Sequence, residues 1–247
     1  MLVTRSREQA SELSARLRAL GADAVEAPAI TIGPPASLAR LDEAISRLRS
    51  YSWAVFTSAN GVASFAHRLR AAGGDARALA NVSVCAIGPG TAEALEAIGI
   101  TADLIPPTFT TDAVARAFPR GEGRVLLARA DKVEPGLDEA LRAKGWTIQR
   151  VVAYRLRGAS RIDPAVRRAV LAGDIDVITF ASGGTVRAFM KLVGDKPDGR
   201  TKIVCIGPVT AAAARAAGLR VSAVASRHTI EGLLDAVVGV ATKRRGR

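Results

Sequence analysis

Apolar residues along this chain follow two periods. Short unbroken runs at Trp53-Ala54-Val55-Phe56, Val84-Cys85-Ala86-Ile87, Val125-Leu126-Leu127-Ala128 and Ile203-Val204-Cys205-Ile206 predict buried strands. Between such runs, apolar positions fall three and four residues apart. Ala10, Leu13, Leu17 and Leu20 predict a helix that Ser6 can cap and Gly21 closes. Helices are also predicted over Leu38 to Leu48, from Gly61 to about Leu69, and from Thr111-Asp112 onward. Leu2-Val3-Thr4, Ala24-Val25-Glu26 and the region of Asp103-Leu104-Ile105 read as further strands, and Pro28, Pro34 and Pro35 mark a connection. Strand alternating with helix is the pattern of an α/β protein.

The chain also repeats itself. Val82 to Leu95 reads as a buried strand, a tight Gly88-Pro89-Gly90 turn and a helix opening at Thr91. The same unit returns with Gly207-Pro208 and Thr210, displaced by 119 residues, and Thr229 to Leu233 repeats Thr110 to Val114 at that offset. Arg129 repeats Arg5, Gly145 repeats Gly21, and Phe180-Ala181-Ser182 repeats Phe56-Thr57-Ser58, each displaced by 124 residues. The whole chain is a diverged duplication of a domain-sized unit, in the order leader, body, leader, body. In a tandem assembly each leader packs with the body that follows it. In an exchanged assembly the first leader packs with the second body and the second leader with the first. Both satisfy the order, and the Pro/Gly run Phe118-Pro119-Arg120-Gly121-Glu122-Gly123 slightly favours a tandem boundary there.

Composition narrows the function classes. No apolar run approaches the ~20 residues that span a bilayer, and the N-terminus enters a strand at once, without the pattern of a leader peptide. Cys85 and Cys205 lie in apolar runs with no ligand-spaced partner, so free buried thiols and a reducing cytoplasm are expected. Net charge is +12, of which Lys243, Arg244, Arg245 and Arg247 supply four in what reads as a solvated tail. The remaining body, about +8, suits a polyanionic partner or a small molecule with many acidic groups. Two Trp, two Tyr and six Phe weaken a base-stacking platform for single strands, so nucleic acid is not the expected partner, and without a spanning run neither is a membrane.

Candidate chemistry is sparse. No phosphate-loop motif occurs, Gly88-Pro89-Gly90 lacks a third glycine in dinucleotide spacing, and His67 and His228 are too isolated for a catalytic triad or zinc set. What remains is a set of strand ends rich in Ser, Thr, Asn and Gly, able to aim backbone N–H groups at anions, and one isolated phenol, Tyr154. Paired strand ends suggest two walls of a cleft. A polyanion-binding module explains the charge equally well at this point. A periplasmic-type binding protein shares the α/β pattern but needs a leader peptide.

Leu2-Val3-Thr4-Arg5, Phe56 to Val62, Ala86 to Thr91, Ala153-Tyr154, Phe180-Ala181-Ser182, Ile206 to Thr210 and Thr229 to Leu233, in this order and spacing, resemble the uroporphyrinogen-III synthase family. The resemblance spans nearly the whole chain. It implies two parallel-sheet, flavodoxin-like α/β domains with exchanged N-terminal segments. Residues 1–28 and 159–247 would form one domain and 36–150 the other, with 29–35 and 151–158 as a two-stranded linking ladder. It implies a cofactor-free, metal-free hydro-lyase, expected to be monomeric. Its substrate, hydroxymethylbilane, is a linear tetrapyrrole with eight carboxylates, which is cyclised with loss of water and inversion of ring D to uroporphyrinogen III. Tyr154 is then the candidate acid. Arg5, Ser58, Ala59, Asn60, Gly88, Thr91, Ser182, Gly183, Gly184 and Thr210 are candidate substrate contacts. Thr91, Thr210 and Ser182 are equally readable as helix caps. Two segments depart from the family pattern: Ser6 stands where proline is common, and Ala130 to Pro135 replaces a glycine-rich turn.

Overall fold

A computed structural model describes residues 1–133 and 136–242. The basic tail from Lys243 and Glu134-Pro135 of the departing loop lie outside the described residues. In chain order, the first third comprises β1 (Leu2–Val3), α1 (Arg7–Ala19), β2 (Val25–Glu26), β3 (Ile30–Gly33), α2 (Ala39–Ser46), β4 (Trp53–Phe56) and α3 (Ala59–Ala71). There follow β5 (Ser83–Ala86), α4 (Pro89–Glu96), α5 (Thr111–Ala117), β6 (Arg124–Ala130), α6 (Leu137–Arg142) and β7 (Thr147–Gly158). The last part comprises α7 (Pro164–Ala172), β8 (Val177–Phe180), α8 (Gly183–Val193), β9 (Lys202–Cys205), α9 (Pro208–Ala216), β10 (Val221–Val224) and α10 (Ile230–Thr242). None of the described helices is long and apolar enough to cross a membrane.

Two compact units result. Unit one joins Met1–Thr31 to the chain from Arg157 onward, and unit two is Ile32–Leu156. Unit one has a five-stranded sheet of order β10-β9-β8-β1-β2, with all four ladders parallel. The leader is seated in it by Leu2 opposite Ile178 and Val3 opposite Thr179. In unit two the order is β3-β7-β6-β4-β5, and the ladders of β7, β6, β4 and β5 are parallel. The second leader, β6 and β7, therefore lies beside β4 of the first body. The leaders are exchanged, as the resemblance implies, and the chain passes between units within β3 and near the end of β7.

The run that suggested a tandem boundary is anchored to unit two's core at Phe118, while residues 119–123 lie exposed on that unit's surface. Phe118 is 1% exposed, and its ring centroid lies 4.8 Å from Trp53 and 5.9 Å from Trp146. Trp146 Nε1 donates to Pro119 O at 2.8 Å, and a Cβ on Gly121 would come within 2.5 Å of the indole. The glycine there serves a close backbone approach, not a flexible linker.

The duplication is visible in packing. Phe56 meets Phe65 edge-on at 5.2 Å in unit two, and Phe180 meets Phe189 edge-on at 5.4 Å in unit one. Each pair ties a strand end to the helix that follows and adds ~0.5–1.5 kcal/mol beyond burial. One predicted strand is missing. Leu104 makes only a single bridge to Cys85, because the Asp103 carboxylate takes the Val84 N–H at 2.6 Å and Pro106-Pro107 supply no donors. Its counterpart in unit one is the full strand β10.

Helix starts at the two Gly-Pro turns also change, and one predicted cap is not made. α4 opens at Pro89 with Gly88 as N-cap, and α9 opens at Pro208 with Gly207 as N-cap. Proline fits the first helical position because its fixed φ suits the helix and its missing N–H would go unbonded there anyway. Thr91 and Thr210 are therefore third helical residues, not caps, and both are buried. Ser6 occupies the N-cap position of α1 but makes no capping bond, and its Oγ is buried with no partner among the described residues.

Candidate active site

In an open parallel sheet, loops leaving the carboxyl ends of strands splay apart where the chain reverses its direction across the sheet. In unit two that point lies between β4 and β6: from β4 the chain runs by α3 to β5 on one side, and from β6 by α6 to β7 on the other. Ser58 and Asp131 stand at those two strand ends.

Tyr154 reaches this point from β7 through a break in register. Arg129 faces Val152, but the next pair is Ala130 with Tyr154, so β6 skips Ala153. Such a bulge re-aims the side chains that follow it. Ala153 and Tyr154 accordingly both pack into the same core cluster as Phe56, Val62 and Phe65. The phenol is 7% exposed, and its Oη lies 2.8 Å from Ser58 Oγ. Ser58 caps α3 by accepting the Gly61 N–H at 3.1 Å. It keeps one proton, which can be donated to the phenolic oxygen. Asp131 N–H donates to Tyr154 O at 3.1 Å, and Ser64 Oγ donates to Ala153 O. A Cβ at Gly61 would lie 2.9 Å from Ala128 O, so this glycine lets α3 sit directly on β6.

Burial pushes the Tyr154 phenol above its ordinary range. The hydrogen bond with Ser58 and the charge of Arg129 pull the other way, while Asp131 adds to the rise. Arg129 is 3% exposed at the end of β6, with Nη1 3.3 Å from Asp138 Oδ1 and Nε without a partner among the described residues. Its pKa is lowered by burial, with Asp138 opposing. Arg150 also approaches Asp138, at 3.7 Å.

The other predicted residues fall into separate groups. Ala59 and Asn60 form the first turn of α3, beside Tyr154's partner Ser58. Gly88, extended at φ −176°, sits at the end of β5 under the Phe109 ring, with Thr91 buried a turn later. In unit one, Arg5, Ser182 and Gly207 follow the neighbouring strands β1, β8 and β9. Ser182 caps α8 by accepting the Thr185 N–H at 3.2 Å, and Gly183 and Gly184 are the first helical residues. Thr210 lies beneath Gly207, whose backbone carries the His228 ring. The Arg5 Nε is buried without a partner among the described residues, and burial lowers its pKa against the opposing pull of Glu12. Of the predicted residues, Ser58 and Tyr154 meet directly through their side chains. Arg129 and Ser64 were not singled out from sequence for the site. Arg129 was visible as the echo of Arg5, whereas nothing in the sequence marks Ser64.

The family model described as "Uroporphyrinogen-III synthase HemD" matches residues 11–235. The uroporphyrinogen-III synthase of Synechococcus elongatus is 33% identical over 96% of this chain and 93% of its own length. The porphyrin biosynthesis protein HemD of Ruminiclostridium josui is 32% identical over 97% of this chain, which spans 48% of that longer protein. In fold, the chain is similar to a mutant uroporphyrinogen III synthase from Thermus thermophilus, with TM-score 0.69, 20% identity and 98% of each chain covered. It is also similar to the Helicobacter pylori uroporphyrinogen-III synthetase, with TM-score 0.62, 17% identity, and 89% of this chain and 94% of that one covered. With a matching family model over most of its length and a relative one-third identical from end to end, the chain belongs to the uroporphyrinogen-III synthase family.

Proposed function

We propose that this chain cyclises hydroxymethylbilane to uroporphyrinogen III, with Tyr154 as the acid that releases the terminal hydroxyl. The observation that carries the reading is the bulged, buried phenol held on Ser58 Oγ at 2.8 Å. With Ser58 donating to the phenolic oxygen, the phenol proton is free to point at a leaving group. The bond between the hydroxymethyl carbon and its oxygen breaks, and the oxygen leaves as water with that proton. The pyrrole nitrogen lone pair then forms the azafulvenium ion, and Ser58 and Arg129 stabilise the phenolate left behind. Ring D attacks through its substituted carbon, and the spiro intermediate fragments and recloses with that ring inverted. The proton lost on rearomatisation returns to the phenolate.

Orientation does the remaining work, because unguided closure gives the uninverted isomer. Each unit contributes its own carboxylate contacts. In unit two these are backbone donors at Ala59, Asn60 and Gly88, and in unit one Arg5, Ser182, Gly183 and Gly184. Thr91 and Thr210 brace the turns above them. The two buried free thiols suit a reducing cytoplasm. The polyanion-binding alternative finds no counterpart among the relatives. The test is to incubate the protein with freshly generated hydroxymethylbilane, oxidise the product and resolve type III from type I porphyrin. Dominant type III supports the reading, and type I at the spontaneous rate refutes it.

A further inference from the structure

We propose that Ser64 is a positioning residue for Tyr154, holding the bulge that aims the phenol. The proposal rests on the reading of Tyr154 as the acid. Ser64 lies one turn beyond Gly61 on α3, so both face the sheet. Gly61 sits on Ala128 O of β6, and Ser64 Oγ donates to Ala153 O of β7. Ala153 is the residue that β6 skips. A bulge leaves its extra residue outside the regular ladder, and a buried carbonyl with no donor is costly. Ser64 supplies that donor from the helix. Regular pairing would set Ala130 opposite Ala153 and turn the next side chain, Tyr154, to the other face of the sheet. That is the face of Leu127 and Leu137, away from Ser58. The serine hydroxyl therefore favours the one register in which the phenol meets Ser58. One helix fixes the residue at both ends: Ser58 at the hydroxyl, Ser64 at the backbone just before it.

The test is a double-mutant cycle on the full chain, with kcat, KM and unfolding midpoint measured for Ser64→Ala, Tyr154→Phe and the double variant, and Ser64→Thr as rescue. Ser64→Ala should lower kcat ~10-fold with KM within about twofold, as expected when a catalytic group is loosened by a fraction of an ångström. Ser64→Thr, which keeps a donor, should restore most of the loss. In the Tyr154→Phe background, Ser64→Ala should cost less than about twofold more, because there is no acid left to aim. A second readout is phenol titration in a Tyr51→Phe background, where Ser64→Ala should lower the Tyr154 midpoint toward the ordinary ~10 as the ring leaves its buried place. Wild-type kcat for Ser64→Ala beside an impaired Tyr154→Phe would overturn the Ser64 proposal alone, as would an undiminished loss in the double variant. Full activity of Tyr154→Phe would overturn both proposals.

Discussion

A phenol serves as an acid at neutral pH only while it keeps its proton, and burial secures this at Tyr154. Tyr51, the other tyrosine, is also pushed up by burial, with Arg124 opposing. Spectrophotometric titration should therefore show little tyrosinate until the pH passes ~10, and the Tyr154 share should vanish in Tyr154→Phe. The sign carries over to catalysis. A general acid is lost as it ionises, so kcat should stay flat from neutral pH to ~10 and fall above it. Tyrosinate appearing well below that range would contradict the buried, protonated state. Tyr154 was legible in the sequence because the chain has so few phenols. Its partner was not: Ser58 lies 96 residues away, in a motif that pointed to substrate contact through the backbone. Nor did anything in the sequence say that Arg129 would be buried against Asp138.

Strands and helices were legible at the level of elements because the unbroken apolar runs of the one and the three- and four-residue steps of the other survive the duplication. What the pattern could not locate was the bulge. Val151-Val152-Ala153-Tyr154 is apolar throughout, so a slip of one residue leaves the hydrophobic pattern unchanged. The start of α4 was misplaced for a related reason: Gly88-Pro89-Gly90 has turn composition, yet proline is equally at home in a first helical turn. The seat of α3 on β6 gives a sharp contrast between two glycines. Gly61→Ala would press a methyl against Ala128 O, a backbone atom that cannot step aside. It should destabilise the fold by ~1–3 kcal/mol and lower kcat as Ser58 and Ser64 are lifted together. Gly88→Ala would meet Phe109 at its Cγ and Cβ, which rotation of the ring cannot clear, but that residue is 38% exposed and can shift outward, so the loss should be smaller than for Gly61→Ala. Equal chemical-denaturation curves for the two variants would contradict the packing described for α3.

For the whole molecule, the order leader, body, leader, body could be read directly, but the pairing of leaders with bodies could not. Both leaders present similar apolar runs, and the Pro/Gly stretch that hinted at a boundary is held instead by Trp146. Family resemblance supplied the exchange, and the sheet orders show it. On the proposed function, a net charge of +12 meets a substrate with eight carboxylates, which makes capture sensitive to screening. KM should rise between ~50 and ~500 mM salt while the product remains type III, since salt weakens the approach but not the fold of the bound chain. A KM that is flat over that range would remove charge from the binding step. The most direct test is turnover of hydroxymethylbilane by wild-type and Tyr154→Phe protein, with product isomers resolved and unfolding midpoints taken on the same preparations. A fall of ~10²–10⁴ in kcat, with KM and midpoint near wild type, is the expected result. A fall of less than ~10-fold, or a loss of activity that tracks loss of folded protein, would contradict the assignment of the proton to Tyr154.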